Sequence, residues 1–433
     1  MSPVTIGLIG FVLLFALIAL EVPIGISMGV IGIGGLWFFF GAGSAVVKLV
    51  YTPLELVMNY NFAVLPLFLL MAHICFVAGL SSDLYRIASK WFGRLKGGIG
   101  MATVAASAGF AAMSASSTAT AATIGLVAMP EMKRLRYDSA LAAGTVTAGG
   151  TLGILIPPSS TLIIYGIMTE TSIGQLFVAG IFPGLMEAVF YILTIYILCT
   201  LNPSLGPRGP KSSFKEKVLV LGSCGEILAL IVFVLGGLVI GLFTPTEAGA
   251  MGAGGAILFS LIRKRLDWPK FQKAVMETMK TTGLLYSILI GALLLRYFVT
   301  VTTIPKFLAQ SVTHLNLPPM AIMICIFLVY IFLGCFLDAM ALLLLTVPIF
   351  FPVVTGMGFS PIWFGIIMVK MIEMAIITPP IGLNLFVVSG IAPDVPIQTI
   401  YKGVIPFVIA DIVNVLLLLF IPGIALFLPS LLY

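Results

Sequence analysis

Residues 147–160 read Thr-Ala-Gly-Gly-Thr-Leu-Gly-Ile-Leu-Ile-Pro-Pro-Ser-Ser, inside an apolar segment long enough to cross a membrane yet unable to continue as one helix. Pro157 and Pro158 each lack an N–H, and Gly149, Gly150 and Gly153 weaken the turns before them. A break at membrane depth frees backbone groups that hydrocarbon cannot satisfy, so it must line protein or a watered cavity. That is a place for an ion or a polar ligand. The same grammar returns in Glu373-Met-Ala-Ile-Ile-Thr-Pro-Pro-Ile-Gly-Leu-Asn384, with the proline pairs 222 positions apart.

The offset recurs elsewhere. Eight of the 26 prolines precede position 200, and four of them land on another proline when moved by 222: Pro23 on Pro245, Pro130 on Pro352, Pro157 on Pro379 and Pro158 on Pro380. Proline fills about 6% of the chain, so chance supplies roughly half a match per offset. The chain is built twice, over residues 1–201 and 218–433, joined by a polar, Pro-rich linker at 202–217.

With 60% hydrophobic and 9% charged residues and a mean hydropathy of +1.20, the composition fits no soluble globular class and marks a polytopic, all-α membrane protein. The net charge of +6 sits in short loops between spans, which is the positive-inside pattern and does not imply nucleic acid. Residues 1–5 carry no basic leader and no small-residue cleavage site follows, so the first apolar run is expected to stay as an uncleaved span. Cys75, Cys199, Cys224, Cys325 and Cys335 form no Cys-x-x-Cys pair and read as buried thiols, with no disulfide and no metal site.

Basic residues organise the topology. Arg86, Lys90, Arg94 and Lys96 precede a small, apolar segment, and Lys133, Arg134 and Arg136 follow it, so both ends lie on the cytoplasmic side. Roughly 32 helical residues span about 48 Å, too long for one crossing of about 30 Å and too short for two. A re-entrant hairpin over residues 97–133 fits, its tip at Ser114-Ala-Ser-Ser-Thr-Ala-Thr120. The first broken helix then occupies 138–169. In the second half a basic stretch at 266–280 reads as an interfacial helix, a second hairpin is expected over 318–355 with its tip near Asp338, and a second broken helix over 361–392. Between Lys306 and Lys370 the chain has no Lys or Arg, so the second hairpin enters from the opposite side. Two related halves in opposite orientation make an inverted-topology repeat.

Transporters of this plan put ions and substrate at the midplane, where half-helix N-termini face anions and unwound carbonyls coordinate cations. One sodium ion is expected at each tip-plus-break pair. Ser114, Ser116, Ser117, Thr118 and Thr151, with Gly153, Pro157 and Ser159 at the break, form the first set, and Asp338, Thr378, Pro379 and Asn384 the second. Further intramembrane charges are Arg296, which can snorkel or anchor a substrate, and Lys370 and Glu373, spaced to pair with each other. Glu187 and Asp411, four and five residues after Pro183 and Pro406, suggest one structural contact used twice.

The run Ser114-Ala-Ser-Ser-Thr-Ala-Thr-Ala-Ala-Thr-Ile-Gly125, the break Gly150-Thr-Leu-Gly-Ile-Leu-Ile-Pro-Pro-Ser159, the turn Phe243-Thr-Pro-Thr-Glu-Ala-Gly249 and the break Ile377-Thr-Pro-Pro-Ile-Gly-Leu-Asn384 together resemble the large membrane subunit of tripartite ATP-independent periplasmic (TRAP) transporters. The resemblance covers nearly the whole chain. It implies a fold of the ion-transporter superfamily in a bacterial inner membrane, and sodium-coupled uptake of a small organic acid anion, a dicarboxylate, a sialic acid or a similar acid, by an elevator motion. It also implies two partners, a small four-helix membrane subunit and a periplasmic substrate-binding protein, and no cofactor beyond the coupling ions. The alternative is a stand-alone carrier of the same superfamily, driven by sodium or by protons through His73 or Glu373. The polar centres hold no Ser/His, paired-Asp or His-rich metal constellation, which speaks against an intramembrane enzyme.

Overall fold

The computed structural model describes residues 2–210, 212–223, 225–307, 310, 318–379 and 382–433; Cys224, Pro380 and Ile381 fall outside that set. Its described residues form helices joined by short turns, seven of them long and apolar enough to cross a membrane. The fold is an inverted-topology repeat, with one helical hairpin and one broken helix in each half.

In the first half, α1 (Pro3–Ala19) begins at Ser2, whose hydroxyl accepts from the Thr5 amide, with proline in the first turn where a missing N–H costs nothing. The next helix, α2 (Ile24–Met58), is longer than one crossing and bends at Gly41, where φ is +79°. Gly41 lies outside helical φ/ψ, so two helices meet at this kink and the far part stands as a separate helix. A short α3 (Val64–Val77) ends at Gly79, whose left-handed backbone turns the chain into α4 (Leu80–Phe92). Arg86 and Lys90, read as a basic loop, lie on this amphipathic helix, on which Asp83 is buried. Asp83 pairs with Arg86 at 3.0 Å and also with Arg265, tying one end of α4 to the second half.

The hairpin legs are α5 (Gly98–Ser114) and α6 (Ser117–Arg134), the broken helix is α7 (Ser139–Leu155) and α8 (Ser160–Thr169), and α9 (Ile173–Leu201) closes the half. In the second half come α10 (Phe214–Ser223), α11 (Gly225–Val239) and α12 (Pro245–Ile262). At the start of α12, Thr244 and Glu247 form a reciprocal capping box, a structural task for a carboxylate at a turn. The stretch expected to lie at the interface runs straight into the following span as α13 (Trp268–Val301). The second hairpin is α14 (Pro319–Gly334) and α15 (Ala339–Gly356), the second broken helix α16 (Pro361–Ile377) and α17 (Leu383–Ile391). A span, α18 (Ile397–Phe420), and a final short helix, α19 (Gly423–Leu432), complete the chain.

Packing separates the elements into two populations. The broken helix α7–α8 is enclosed, with 94% of its most apolar window buried, whereas the corresponding window of α2 is 22% buried and leaves most of its apolar side chains outward. The helix break therefore sits in protein, as the unsatisfied backbone demands. Of the described cysteines, Cys75 and Cys199 are buried as expected, but Cys325 is exposed and Cys335 half-buried on the second hairpin, where apolar side chains face outward.

Candidate functional site

The first tip is built from three elements. Ala115 takes a left-handed backbone (φ +52°) between α5 and α6, which reverses the chain, and Ser116 then caps α6 by accepting from the Ala119 amide at 3.4 Å. Inside the turn the Ser114 and Thr120 hydroxyls lie 2.5 Å apart, and Thr120 donates to the Ser116 carbonyl at 2.8 Å. The Thr118 hydroxyl is 3.3 Å from that of Ser116.

The first break is pressed onto this tip. A Cβ on Gly153 would overlap the Ser116 carbonyl oxygen and lie 2.5 Å from Thr120 Oγ1, so only glycine lets α7 approach so closely. Beyond the cis Pro157–Pro158 bond, Ser159 caps α8 by accepting from the Leu162 amide at 3.1 Å and donates back to the Ile154 carbonyl. Ser160 donates to the Ala115 carbonyl at 2.6 Å. Ser159 and Ser160 thereby return the broken backbone's hydrogen bonds to neighbouring chain.

The second break also reaches the first tip. Asn384, fully buried near the start of α17, donates through Nδ2 to Ser117 Oγ at 2.6 Å and to the Thr147 carbonyl at 3.5 Å, while its Oδ1 has no hydrogen-bond partner among the described residues. Asn384 was expected beside Asp338; the structure puts it with Ser117 instead, because α17 crosses over α6. Thr151 is likewise moved out of the expected first set. Its hydroxyl points away from the tip, donating to the Ala148 carbonyl at 2.7 Å and to Glu187 Oε1 at 3.1 Å.

At the second tip, Asp338 is half-buried and caps α15 by accepting from the Ala341 amide at 2.7 Å. Thr378 donates to the Met374 carbonyl at 2.5 Å at the end of α16, beside the half-buried Pro379. No hydrogen bond joins Asp338 to Thr378 among the described residues.

Lys370 and Glu373 do pair, at 3.0 Å, but within a larger fully buried group: Lys370 Nζ is also 2.9 Å from Glu187 Oε2 and 3.0 Å from Asp411 Oδ1. The repeated positions of Glu187 and Asp411 mark this contact. Arg296 lies elsewhere, donating to the Met168 carbonyl at 3.3 Å at the end of α8. With Glu170, Lys306 and Pro348 it lines a cavity of about 580 Å³. The first tip opens instead on a separate cavity of about 600 Å³, lined by Ser114, Ser116 and Thr118 on one side and by His73, Lys273 and Glu277 on the other.

Sequence reasoning passed over Thr120 and Ser160, although Thr120 belongs to the same hydroxyl run and Ser160 follows the break directly. The arrangement offers hard oxygen donors, neutral and close together, next to two half-helix N-termini. Such donors suit a small monovalent or hard cation, and the N-termini of α6 and α8 suit an anion.

The family model for the DctM component of tripartite ATP-independent periplasmic transporters matches residues 11–424. The C4-dicarboxylate TRAP transporter large permease protein DctM of Pseudomonas aeruginosa is 35% identical to this chain, over 86% of the chain and 87% of its own length. The sialic acid TRAP transporter large permease protein SiaM of Vibrio cholerae is 32% identical over 86% of this chain and 87% of its own. Among solved structures, the YdaH transporter of Alcanivorax borkumensis superposes with a TM-score of 0.64 at 14% identity, covering 88% of each chain, a likeness of fold alone.

Proposed function

The chain belongs to the DctM-component family of tripartite ATP-independent periplasmic transporters, and from that premise we propose that it carries a small organic acid anion into the cell together with sodium ions. Its family is one of inner-membrane permeases and not of enzymes. In this reading the two hairpins and two broken helices move as one body against a scaffold of the remaining spans and the helical stretch from Leu266, in an elevator motion. A small four-helix membrane subunit would pack on that scaffold, and a periplasmic binding protein would deliver the anion.

The observation that carries the reading is the buried Asn384 Oδ1, which has no hydrogen-bond partner among the described residues where three elements meet. An orphaned amide oxygen in a dry site is costly unless something takes it up, and it lies on the residue that grips Ser117. Sodium would be held by Asn384, by tip hydroxyls such as Ser117, and by the Ser116 and Ala115 carbonyls; Asp338 would serve a second ion at the other tip. The tip cations would offset the anion's charge in a low-dielectric setting. The dicarboxylate and sialic acid relatives support an organic acid cargo without choosing one.

The test is uptake of labelled organic acids into proteoliposomes holding this chain and its small partner, with and without binding protein, under imposed sodium or proton gradients. Uptake that needs both sodium and binding protein is the expected result. Uptake without binding protein, or driven by protons alone, would replace this reading with that of a stand-alone carrier.

A further inference from the structure

The buried group around Lys370 does a different job from the tips. It draws on four helices: Thr151 on α7, Glu187 and Tyr191 on α9, Lys370 and Glu373 on α16, and Asp411 on α18. Glu373 stands 222 positions after Thr151, and Asp411 stands 224 after Glu187, so residues from both halves of the chain converge here. All four ionisable side chains, one ammonium and three carboxyls, are fully buried. With every carboxyl ionised the group would hold two uncompensated negative charges away from water, and a carboxyl in that position takes up a proton instead.

The hydrogen bonds single out which one. Asp411 is supplied on both oxygens, Oδ1 by Lys370 at 3.0 Å and Oδ2 by the Tyr191 hydroxyl at 2.7 Å. Glu187 receives the Thr151 hydroxyl on Oε1 at 3.1 Å and faces Lys370 through Oε2 at 2.9 Å. Glu373 faces Lys370 through Oε2 at 3.0 Å, but neither of its oxygens has a hydrogen-bond partner among the described residues, whereas Glu187 lacks one on Oε2 alone. A buried carboxylate needs donors to offset its charge, whereas the neutral acid carries no charge and loses less at oxygens that are left bare.

We infer that Glu373 is a proton-binding site: it is kept as the neutral carboxylic acid, a resident proton enclosed in the buried group where the two halves of the chain meet. The groups facing it are Lys370 on its own helix, Glu187 and Tyr191 from α9, Asp411 from α18 and Thr151 from α7. The proton leaves the group with one net negative charge instead of two, and it is independent of the sodium-coupled reading, because it follows from charge and hydrogen bonding in the core.

Infrared spectroscopy of the full-length permease in a detergent without ester or carboxyl groups tests this directly. The carbonyl stretch of a protonated carboxyl, which a carboxylate lacks, is expected at neutral pH and should be lost in Glu373→Gln, a neutral isostere. That variant should melt within about 2 °C of the parent, whereas Glu187→Gln and Asp411→Asn, which remove a counter-charge from Lys370, should melt several degrees lower. Absence of the band in the parent, or its survival in Glu373→Gln, overturns the inference. So does a Glu373→Gln protein that melts as low as the other two or that cannot be purified folded, since a neutral glutamine is what the site is inferred to accept.

Discussion

Ser116 and Asp338 stand 222 positions apart and cap the second legs of their hairpins in the same way, one accepting from the Ala119 amide and the other from Ala341, which are themselves 222 apart. Around that shared device the two tips diverge. At the first, Thr120 closes onto the Ser116 carbonyl, Ser160 onto the Ala115 carbonyl and Asn384 onto Ser117, so both broken helices grip hairpin 1 through polar bonds. At the second, the one side-chain hydrogen bond of Asp338 among the described residues is its cap, and the neighbouring Phe332 and Phe336 are 66% and 63% exposed. The repeat keeps the backbone manoeuvre, a turn capped at mid-membrane, and lets the side chains specialise. The first tip is neutral and clasped from outside; the second carries a formal charge and shows no such clasp among the described residues.

The most damaging way to break the clasp is to add one methyl. Gly153 faces the first tip at clash distance, while its repeat partner is Ala375, whose methyl fits because Gly334 lies opposite. Gly153→Ala should therefore cost about 1–3 kcal/mol through overpacking and reduce sodium-driven uptake by more than about tenfold, since a displaced tip misplaces its donors. A thermal melt and a proteoliposome assay read the two effects. Uptake near the parent's would show that the close approach of α7 to the tip carries no function.

Next in size is Asn384→Ala, which removes the donor to Ser117 and the orphaned oxygen together. Loss of a buried hydrogen bond of this kind costs about 1–2 kcal/mol, and the sodium concentration for half-maximal uptake should rise by roughly fivefold or more. Asp338→Asn sharpens the contrast from the other side. Asparagine caps a helix about as well as aspartate, so the melting temperature should hold while sodium dependence weakens by roughly threefold. If both properties stay unchanged, Asp338 is a cap and nothing else, and the second tip binds no cation through it.

Much of this was legible in the chain because proline and glycine act on the backbone wherever they fall. The break after Leu155 and the tip between Ser114 and Ser117 follow from local chemistry, and the 222-residue offset exposes the doubled plan. What the sequence could not tell is which face of a helix meets which neighbour. Thr151 and Gly153 are two residues apart, and a turn of α7 sends the hydroxyl to Glu187 and the bare backbone to the tip. Asn384 was assigned to its own half, since nothing local says that α17 crosses to hairpin 1. The pairing of Lys370 with Glu373 was visible from their spacing, but their partners lie 183 and 41 positions from Lys370, on α9 and α18, beyond any periodic signal.

The smallest expected effect comes from an ion pair that joins the far end of hairpin 1 to the turn after the second broken helix. Lys133 Nζ is 2.5 Å from Asp394 Oδ2, and the repeat-related positions, Thr355 and Ser172, carry no charge, so this link too belongs to the first hairpin alone. The hydrogen bond from Lys133, with its positive charge, holds the Asp394 carboxyl below its ordinary value. A depressed carboxyl contributes stability that is fully present above the unfolded value of about 3.9 and is lost as pH falls through the lower folded one. Both side chains are largely exposed, at 75% and 56%, so solvent screens the pair and its contribution is small. Asp394→Asn should thus lower the melting temperature barely measurably at neutral pH and low salt, and not at all in about 1 M salt, where the screening length shrinks to roughly 3 Å. A large, salt-independent drop would mean that the turn after α17 is held to hairpin 1 by more than charge, and that the first hairpin is clasped at both of its ends.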